Sequence, residues 1–310
     1  MEIKAAMVKE LREMTGAGVM ACKNALVETD GDMDKAIELL REKGQATAVK
    51  KAGRIAAEGI VLAVVKEDKT AAIVEVNSET DFVAKNDKFR SFVADVAEQV
   101  LTSDAKTVEE LNEEKWIKDE SKTVKEELVS QIAVIGENMN IRRFAKINTD
   151  GVVVPYIHGG GRIGVVVEAS TDVINDQVKE ALKNVAMQIA ALNAKYVSRD
   201  EVSEEFIAHE KEILLAQIKN DPQEANKPEK VIEGMINGRI NKEMKEICLL
   251  DQVYVKAEDG KQSVAKYLEQ ISKEVGGTVS IKQFVRFETG EGIEKKEEDF
   301  AAEVAKQMNQ

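Results

Sequence analysis

The sequence predicts an α+β protein: a duplicated β-β-α core with antiparallel sheets, a helical bundle before it, a helical hairpin inserted late, and a helical module at the end. Two observations carry this reading. Hydrophobic residues make up 43% of the 310-residue chain but aromatic ones only 4%, so the core must be packed with Ala, Val, Ile and Leu, a balance that favours helix-rich mixed folds. Strand-like GIVLAVVK (59–66) and KTAAIVEVN (69–77) lead into a helical pattern at 86–101. GVVVPYI (151–157), RIGVVVEASTDVI (162–174) and NDQVKEALKNVAMQIA (175–190) then repeat the order strand, turn, strand, Thr-Asp, helix.

Residues 1–55 read as a small bundle plus connector. Met7, Leu11 and Met14 keep helical spacing until Thr15-Gly16-Ala17-Gly18, and a second helix runs from about Val19 to Glu28. Asp32 is placed to cap a third helix with Met33, Ile37 and Leu40 on one face, and Gly44 is expected to stop it. Residues 45–58 then form an Ala-rich helical connector with a basic middle. In the first half of the core (56–149), Asn86 or Asp87 caps a helix whose Phe89, Phe92, Val93, Val96 and Val100 share a face. The charged stretch 107–135 reads as helical, and IRRFAKIN (141–148) as a strand.

The second half (150–290) is interrupted at about 200–248. Phe206, Glu210, Ile213 and Ile218 are expected to line one helix, and Val231, Met235, Ile240, Met244 and Ile247 another. NDPQEANKP between them holds two of the three prolines, which predicts an antiparallel hairpin long enough to project as a coiled coil. A helix at 263–274 and the strand VSIKQFVRFE (279–288) follow. Residues 291–310 end as an amphipathic helix bearing Phe300, Val304 and Met308.

A net charge of −13 argues against direct binding to nucleic acid or to an anionic membrane, because counterion release needs clustered Lys and Arg. It suits a basic protein partner. Cys22 and Cys248 lie far apart with no metal-ligand spacing, so free thiols in a reducing compartment are expected. The chain starts on an amphipathic helix rather than a secretory signal, and its longest apolar runs are far too short for a membrane span. A cytoplasmic location follows, with no cofactor and no metal.

Enzymatic chemistry lacks its parts. His158-Gly159-Gly160-Gly161 has the look of an esterase oxyanion loop, but the chain has no GxSxG elbow. Residues 159–164 match GxGxxG by letter, yet a strand follows instead of a helix, so a hairpin turn is the better reading. No GxxxxGK[ST] loop exists, and His158 and His209 are the only histidines. The stretch VNSETDFVAKND (76–87) is more informative. Thr80-Asp81 can cap a helix and Phe82 can fill the core; alternatively, Phe82 is placed for another protein. The repeat offers Thr171-Asp172-Val173 at the equivalent point, without the phenylalanine.

The chain resembles the bacterial elongation factor Ts family over nearly its whole length. The resemblance rests on KELREMTGAGVMACKNAL (9–26), GDMDKAIELLREKG (31–44), KKAGRIAAEG (50–59), VNSETDFVAKN (76–86), IGENMNIRRFA (135–145), HGGGRIGVVVEA (158–169) and FVRFETGEGIEK (284–295). It implies guanine-nucleotide exchange on elongation factor Tu, without catalysis of its own. It also implies a ubiquitin-associated-like N-terminal bundle, a two-part core, a hairpin through which a homodimer can form, and a C-terminal module. Thr80, Asp81, Phe82 and Val83 match the element that enters the GTPase and disturbs its magnesium site. Met20, Lys23, Ile135, Gly136 and His158 match further contact positions. The chain departs from the family in reading Val19-Met20-Ala21 where more Met and Asp is usual. It also carries an extra glycine after His158 and a longer hairpin. The alternative is an adaptor that binds a partner through the bundle without driving exchange.

Overall fold

The computed structural model describes residues 3–294. From residue 295 on, the C-terminal helical module expected at 291–310 lies outside the described residues.

Three helices, α1 (Ala5–Thr15), α2 (Val19–Glu28) and α3 (Met33–Lys51), close around Val8, Leu11, Cys22, Ala25, Leu26 and Ala36. Gly16, in the left-handed region at φ +67°, ends α1, and Asp32 caps α3 by accepting the Lys35 N–H at 3.1 Å. The first half of the core follows: β1 (Glu58–Lys66), β2 (Thr70–Ser78), α4 (Asp81–Ala84), α5 (Asp87–Thr102), α6 (Val108–Glu113), β3 (Lys115–Trp116), β4 (Asp119–Thr123), α7 (Val124–Ile135) and β5 (Met139–Asn148). The second half comprises β6 (Val152–His158), β7 (Ile163–Thr171), α8 (Asp176–Leu192), α9 (Glu204–Asn220), α10 (Glu229–Ile247), α11 (Val264–Val275) and β8 (Val279–Glu288).

Each half contributes a three-stranded antiparallel sheet, ordered β1-β2-β5 and β6-β7-β8. The inner faces meet through Val61, Ala71, Ile73, Ile147, Val153 and Val166. Gly164 marks the closest approach: a Cβ there would lie 2.4 Å from Val61 Cγ1. On the outer face of the first sheet, Ala72, Val74 and Val76 pack against Phe89, Phe92, Val93, Val96 and Val100 of α5. On that of the second, Val165, Val167 and Ala169 pack against α8 and α11. The order of layers is helix, sheet, sheet, helix, so β2 and β7 are covered on both faces.

Three expectations need correction. Gly44 does not stop α3, which runs on to Lys51. It is buried where α3 crosses α7, and a Cβ there would lie 3.5 Å from Ala133 Cβ and 3.9 Å from Val129 Cγ1; tertiary packing there outweighs the ~1 kcal/mol helix penalty of glycine. The stretch 107–135 is not one helix: the β3–β4 hairpin divides it, because Trp116 must be buried against Phe92, with ring centroids 5.8 Å apart. In the α9–α10 hairpin, Ile213 and Val231 are exposed, while Ile207, Leu214, Ile236, Ile240 and Met244 share its apolar cluster. The stripe keeps near-3.5-residue spacing, and residue 213 falls one position off it.

The duplication extends to a defect. The strand pairing is broken by a bulge between Glu75 and Val76 in one half and between Glu168 and Ala169 in the other. Both glutamates are fully buried. Glu168 accepts from Lys282 Nζ at 2.8 Å and Gln283 Nε2 at 2.5 Å. Burial pushes its carboxyl up, but these hydrogen bonds outweigh that and hold it below the ordinary glutamate range.

A depressed carboxyl contributes stability that is present above its unfolded-state value and is lost as pH falls through that value and below. Glu168→Gln should therefore flatten the acid side of a plot of Tm against pH, measured by circular dichroism. An acid limb as steep as that of the unsubstituted protein would show that Glu168 carries none of the loss.

Candidate functional site

The Thr80–Val83 turn is built where β2 leaves the sheet. Thr80 is extended (φ −126°, ψ 155°), and its Oγ1 accepts the Val83 N–H at 3.3 Å, which caps the single turn α4. Asn86 then caps α5 by accepting the Lys88 N–H at 2.9 Å. Glu137 holds the loop from the side. Its Oε2 accepts the Glu79 and Thr80 N–H groups at 3.1 and 3.0 Å, and its Oε1 accepts the Thr80 hydroxyl at 2.6 Å. Glu79 reciprocates, accepting the Asn138 N–H at 2.6 Å and pairing with Arg54 Nη1 at 3.5 Å. Asn138 Nδ2 closes the ring of bonds by donating to the Arg54 carbonyl at 2.8 Å.

On this support Phe82 is 80% exposed, while Val83 is half-buried against the first-half core and Ala84 is buried. Capping by Thr80 is real, and core filling by Phe82 is not. Asp81 pairs with Lys85 Nζ at 2.7 Å, and that hydrogen bond holds its carboxyl below the ordinary aspartate range. Both groups are exposed, so the pair does little for stability.

Ile135 and Gly136 lie on the far side of the same clamp. Ile135 is partly buried against the first-half core, and Gly136 ends α7 at φ +89° while its carbonyl accepts Lys51 Nζ at 2.6 Å. The structure thus brings Thr80, Asp81, Phe82 and Val83 together with Ile135 and Gly136. The residue that joins them, Glu137, sits inside IGENMNIRRFA, where its sequence surroundings carry little sign of the role. Its only local signal is a carboxylate directly after a helix-ending glycine. Arg54, Glu79 and Asn138 gave none.

Met20 and Lys23 are exposed on α2, beside exposed Met14 and Val19. No hydrogen bond or ion pair among the described residues ties them to α4. His158, also exposed, ends β6, with Nδ1 3.0 Å from the Tyr156 hydroxyl. The glycine turn after it is a strut between the sheets. Gly161, at φ +110°, presses on Ile60 and its carbonyl accepts the Val61 N–H at 2.7 Å, while the Gly160 carbonyl accepts Arg90 Nη2 at 2.8 Å. Among the described residues no His, Cys, Asp or Glu group is arranged to hold a metal, and no helix is long and apolar enough to cross a membrane.

Residues 79–291 match the sequence profile of the family described as Elongation factor TS. Proteins named elongation factor Ts from Clostridium novyi (strain NT) and Clostridium botulinum (strain 657 / Type Ba4) are 55% and 52% identical to this chain, over 99% of it and 99% of each relative. One from Clostridium perfringens is 56% identical over 98% of both chains.

The geometry separates the exposed ring from its support. Phe82→Ala should change unfolding stability by less than about 0.5 kcal/mol, as expected of an exposed side chain. Glu137→Ala, which leaves three donors without their acceptor, should cost about 1–3 kcal/mol and speed hydrogen exchange at the Glu79 and Thr80 amides. Thermal unfolding and hydrogen-exchange mass spectrometry read the two effects. A large loss of Tm in Phe82→Ala would put the ring in this protein's own core.

Proposed function

The chain belongs to the elongation factor Ts family, and from that premise we propose that it is a cytoplasmic guanine-nucleotide exchange factor acting on elongation factor Tu. The observation that carries the reading is an exposed phenylalanine on a turn whose backbone is fixed from both sides.

A translation GTPase holds GDP through backbone donors of its phosphate loop, a lysine, and a magnesium ion held by Ser/Thr and Asp. An exchange factor needs no bond-making chemistry. It needs only to bind the nucleotide-free shape better than the nucleotide-bound one, and linkage then requires factor and nucleotide to weaken each other by the same ratio. Phe82 is the wedge in this proposal. Burying its ring in an opened seam of the partner is worth about 1.5–3 kcal/mol, or roughly ten- to a hundredfold in an equilibrium. The backbone beneath the ring is already fixed by the cap and by Glu137, so little backbone ordering entropy opposes its insertion.

Asp81 is ion-paired with exposed Lys85, and exchanging that lysine for a partner donor beside the metal loop costs little. Thr80 and Val83 act by setting the turn. Ile135 and Gly136, on the same surface, extend the contact, and Met20, Lys23 and His158 supply separate points of attachment. A partner gripped at several separated places can be strained where the wedge enters.

The test is the release rate of fluorescent GDP from elongation factor Tu, with the unsubstituted protein and with Asp81→Ala/Phe82→Ala. Acceleration by the former, reduced about ten- to a hundredfold in the double variant, is the expected result. Acceleration that survives the double substitution would move the wedge elsewhere. Binding without any acceleration would replace exchange by the adaptor role.

A further inference from the structure

We propose that Glu75 is a positioning residue: a buried latch that fixes the end of the second half of the core against the strand leading to the Phe82 turn. The functional part of this inference rests on the exchange reading above; the structural part does not.

The bulge in β2–β5 pairing places two consecutive arginines opposite one glutamate. Glu75 Oε1 accepts Arg142 Nη1 at 2.9 Å, and its Oε2 accepts Arg143 Nε at 2.5 Å. The same arginines reach onward to the turn beyond β8. Arg142 Nη2 donates to the Glu291 carbonyl, and Arg143 Nη2 donates to the Glu288 carbonyl and to Glu291 Oε2, both at 3.1 Å. Glu75 Oε1 itself accepts the Gly290 N–H at 2.8 Å. Gly290, at φ +72°, is pressed so close to the connector that a Cβ would lie 2.1 Å from the Ala57 carbonyl oxygen. One carboxylate therefore gathers β2, β5, the exit of β8 and, through that turn, the connector from the bundle.

The duplicated fold supplies its own control. Glu168 occupies the same bulge position, with Lys282 and Gln283 where Glu75 has Arg142 and Arg143. Lys282 and Gln283 bond Glu168 from its own sheet, the Thr149 side chain adds a hydrogen bond from the end of the first half, and neither Lys282 nor Gln283 makes a hydrogen bond to the other half among the described residues. A buried carboxylate at this bulge thus needs no charged partner whose side chain reaches on into the other half. The reach of Arg142 and Arg143 across the halves exceeds what burial demands.

From Glu75, β2 runs through Asn77 and Ser78 to Glu79 and Thr80, where Glu137 clamps the turn. A partner held both at this turn and on the second half reads the spacing between them. The latch sets that spacing without touching the partner.

The experiment compares Glu75→Gln, which keeps shape and removes charge, with Glu168→Gln as control. For each variant, fluorescent GDP release from elongation factor Tu gives a maximal rate and a half-saturating factor concentration. Hydrogen exchange over residues 288–294 is measured alongside. Glu75→Gln should raise the half-saturating concentration by roughly three- to thirtyfold, with faster exchange at 288–294. Glu168→Gln should leave both unchanged. Equal effects from the two variants, or none from Glu75→Gln, would overturn the proposal. If Glu75→Gln fails to fold, Gly290→Ala carries the test, because its Cβ displaces the turn and leaves the Glu75 ion pairs in place; it should shift both readouts as Glu75→Gln does, and an unchanged pair would overturn the latch. If the unsubstituted protein does not accelerate GDP release, the exchange reading fails, and the latch is judged by hydrogen exchange alone. Faster exchange at the Glu79 and Thr80 amides in Gly290→Ala then supports it, and unchanged exchange there overturns it.

Discussion

The face-to-face contact of two small sheets is the constraint on which the rest of the molecule depends. A three-stranded sheet buries little by itself, so each half gains a second covered face by meeting the other through Val61, Ile73 and Val166, at a separation set by the bare backbone of Gly164. The consequence is that β2 and β7 have no solvent face. Polar groups on them are removed from solvent, and the two buried glutamates at the bulges are where the need for partners inside the protein is sharpest. With the strand faces occupied, surfaces left for a partner lie at turns, helix ends and the appended modules.

A turn that offers an apolar ring to solvent faces a problem of support. Most turns next to a core are fixed by the very side chains that Phe82 withholds. Here polar bonds take over: Glu137 and Glu79 exchange carboxylate-to-amide hydrogen bonds across two segments, and Thr80 caps the single turn between them. Charge-assisted bonds to backbone amides are short and directional, which suits a task where orientation matters more than bulk. Val83 and Ala84 complete the division by facing inward. A turn held this way can expose its ring and still keep its backbone fixed.

What the sequence disclosed follows from how locally each feature is encoded. The strands, the buried face of α5 and the Asp32 and Asn86 caps rest on spacing within a dozen residues or so, and are legible for that reason. Gly44 misled because its reason lies in Val129 and Ala133, more than eighty positions on. The β3–β4 hairpin was hidden inside a charged stretch because one residue, Trp116, decides it. Of the candidate site, the Thr-Asp-Phe turn stood out as an anomaly of the repeat, and family resemblance named its neighbours. Glu137, Arg54 and Asn138 were silent, since a hydrogen bond between segments so far apart leaves no period to read.

The two bulges show how one architecture serves two ends. At Glu168 a lysine and a glutamine from the adjoining strand balance the buried charge, with a hydrogen bond from the Thr149 side chain, and neither strand residue reaches further among the described residues. At Glu75 the partners are guanidinium groups, each with several donors in a fixed plane. One donor satisfies the carboxylate, and the remainder extend to carbonyls and a carboxylate at the end of β8. A lysine at either place would have neutralised the glutamate, but a single ammonium point charge could not hold a carboxylate and a distant backbone in one geometry. The choice of arginine over lysine at 142 and 143 therefore converts a local requirement of burial into a tie between halves, ending one strand's length from the exposed ring.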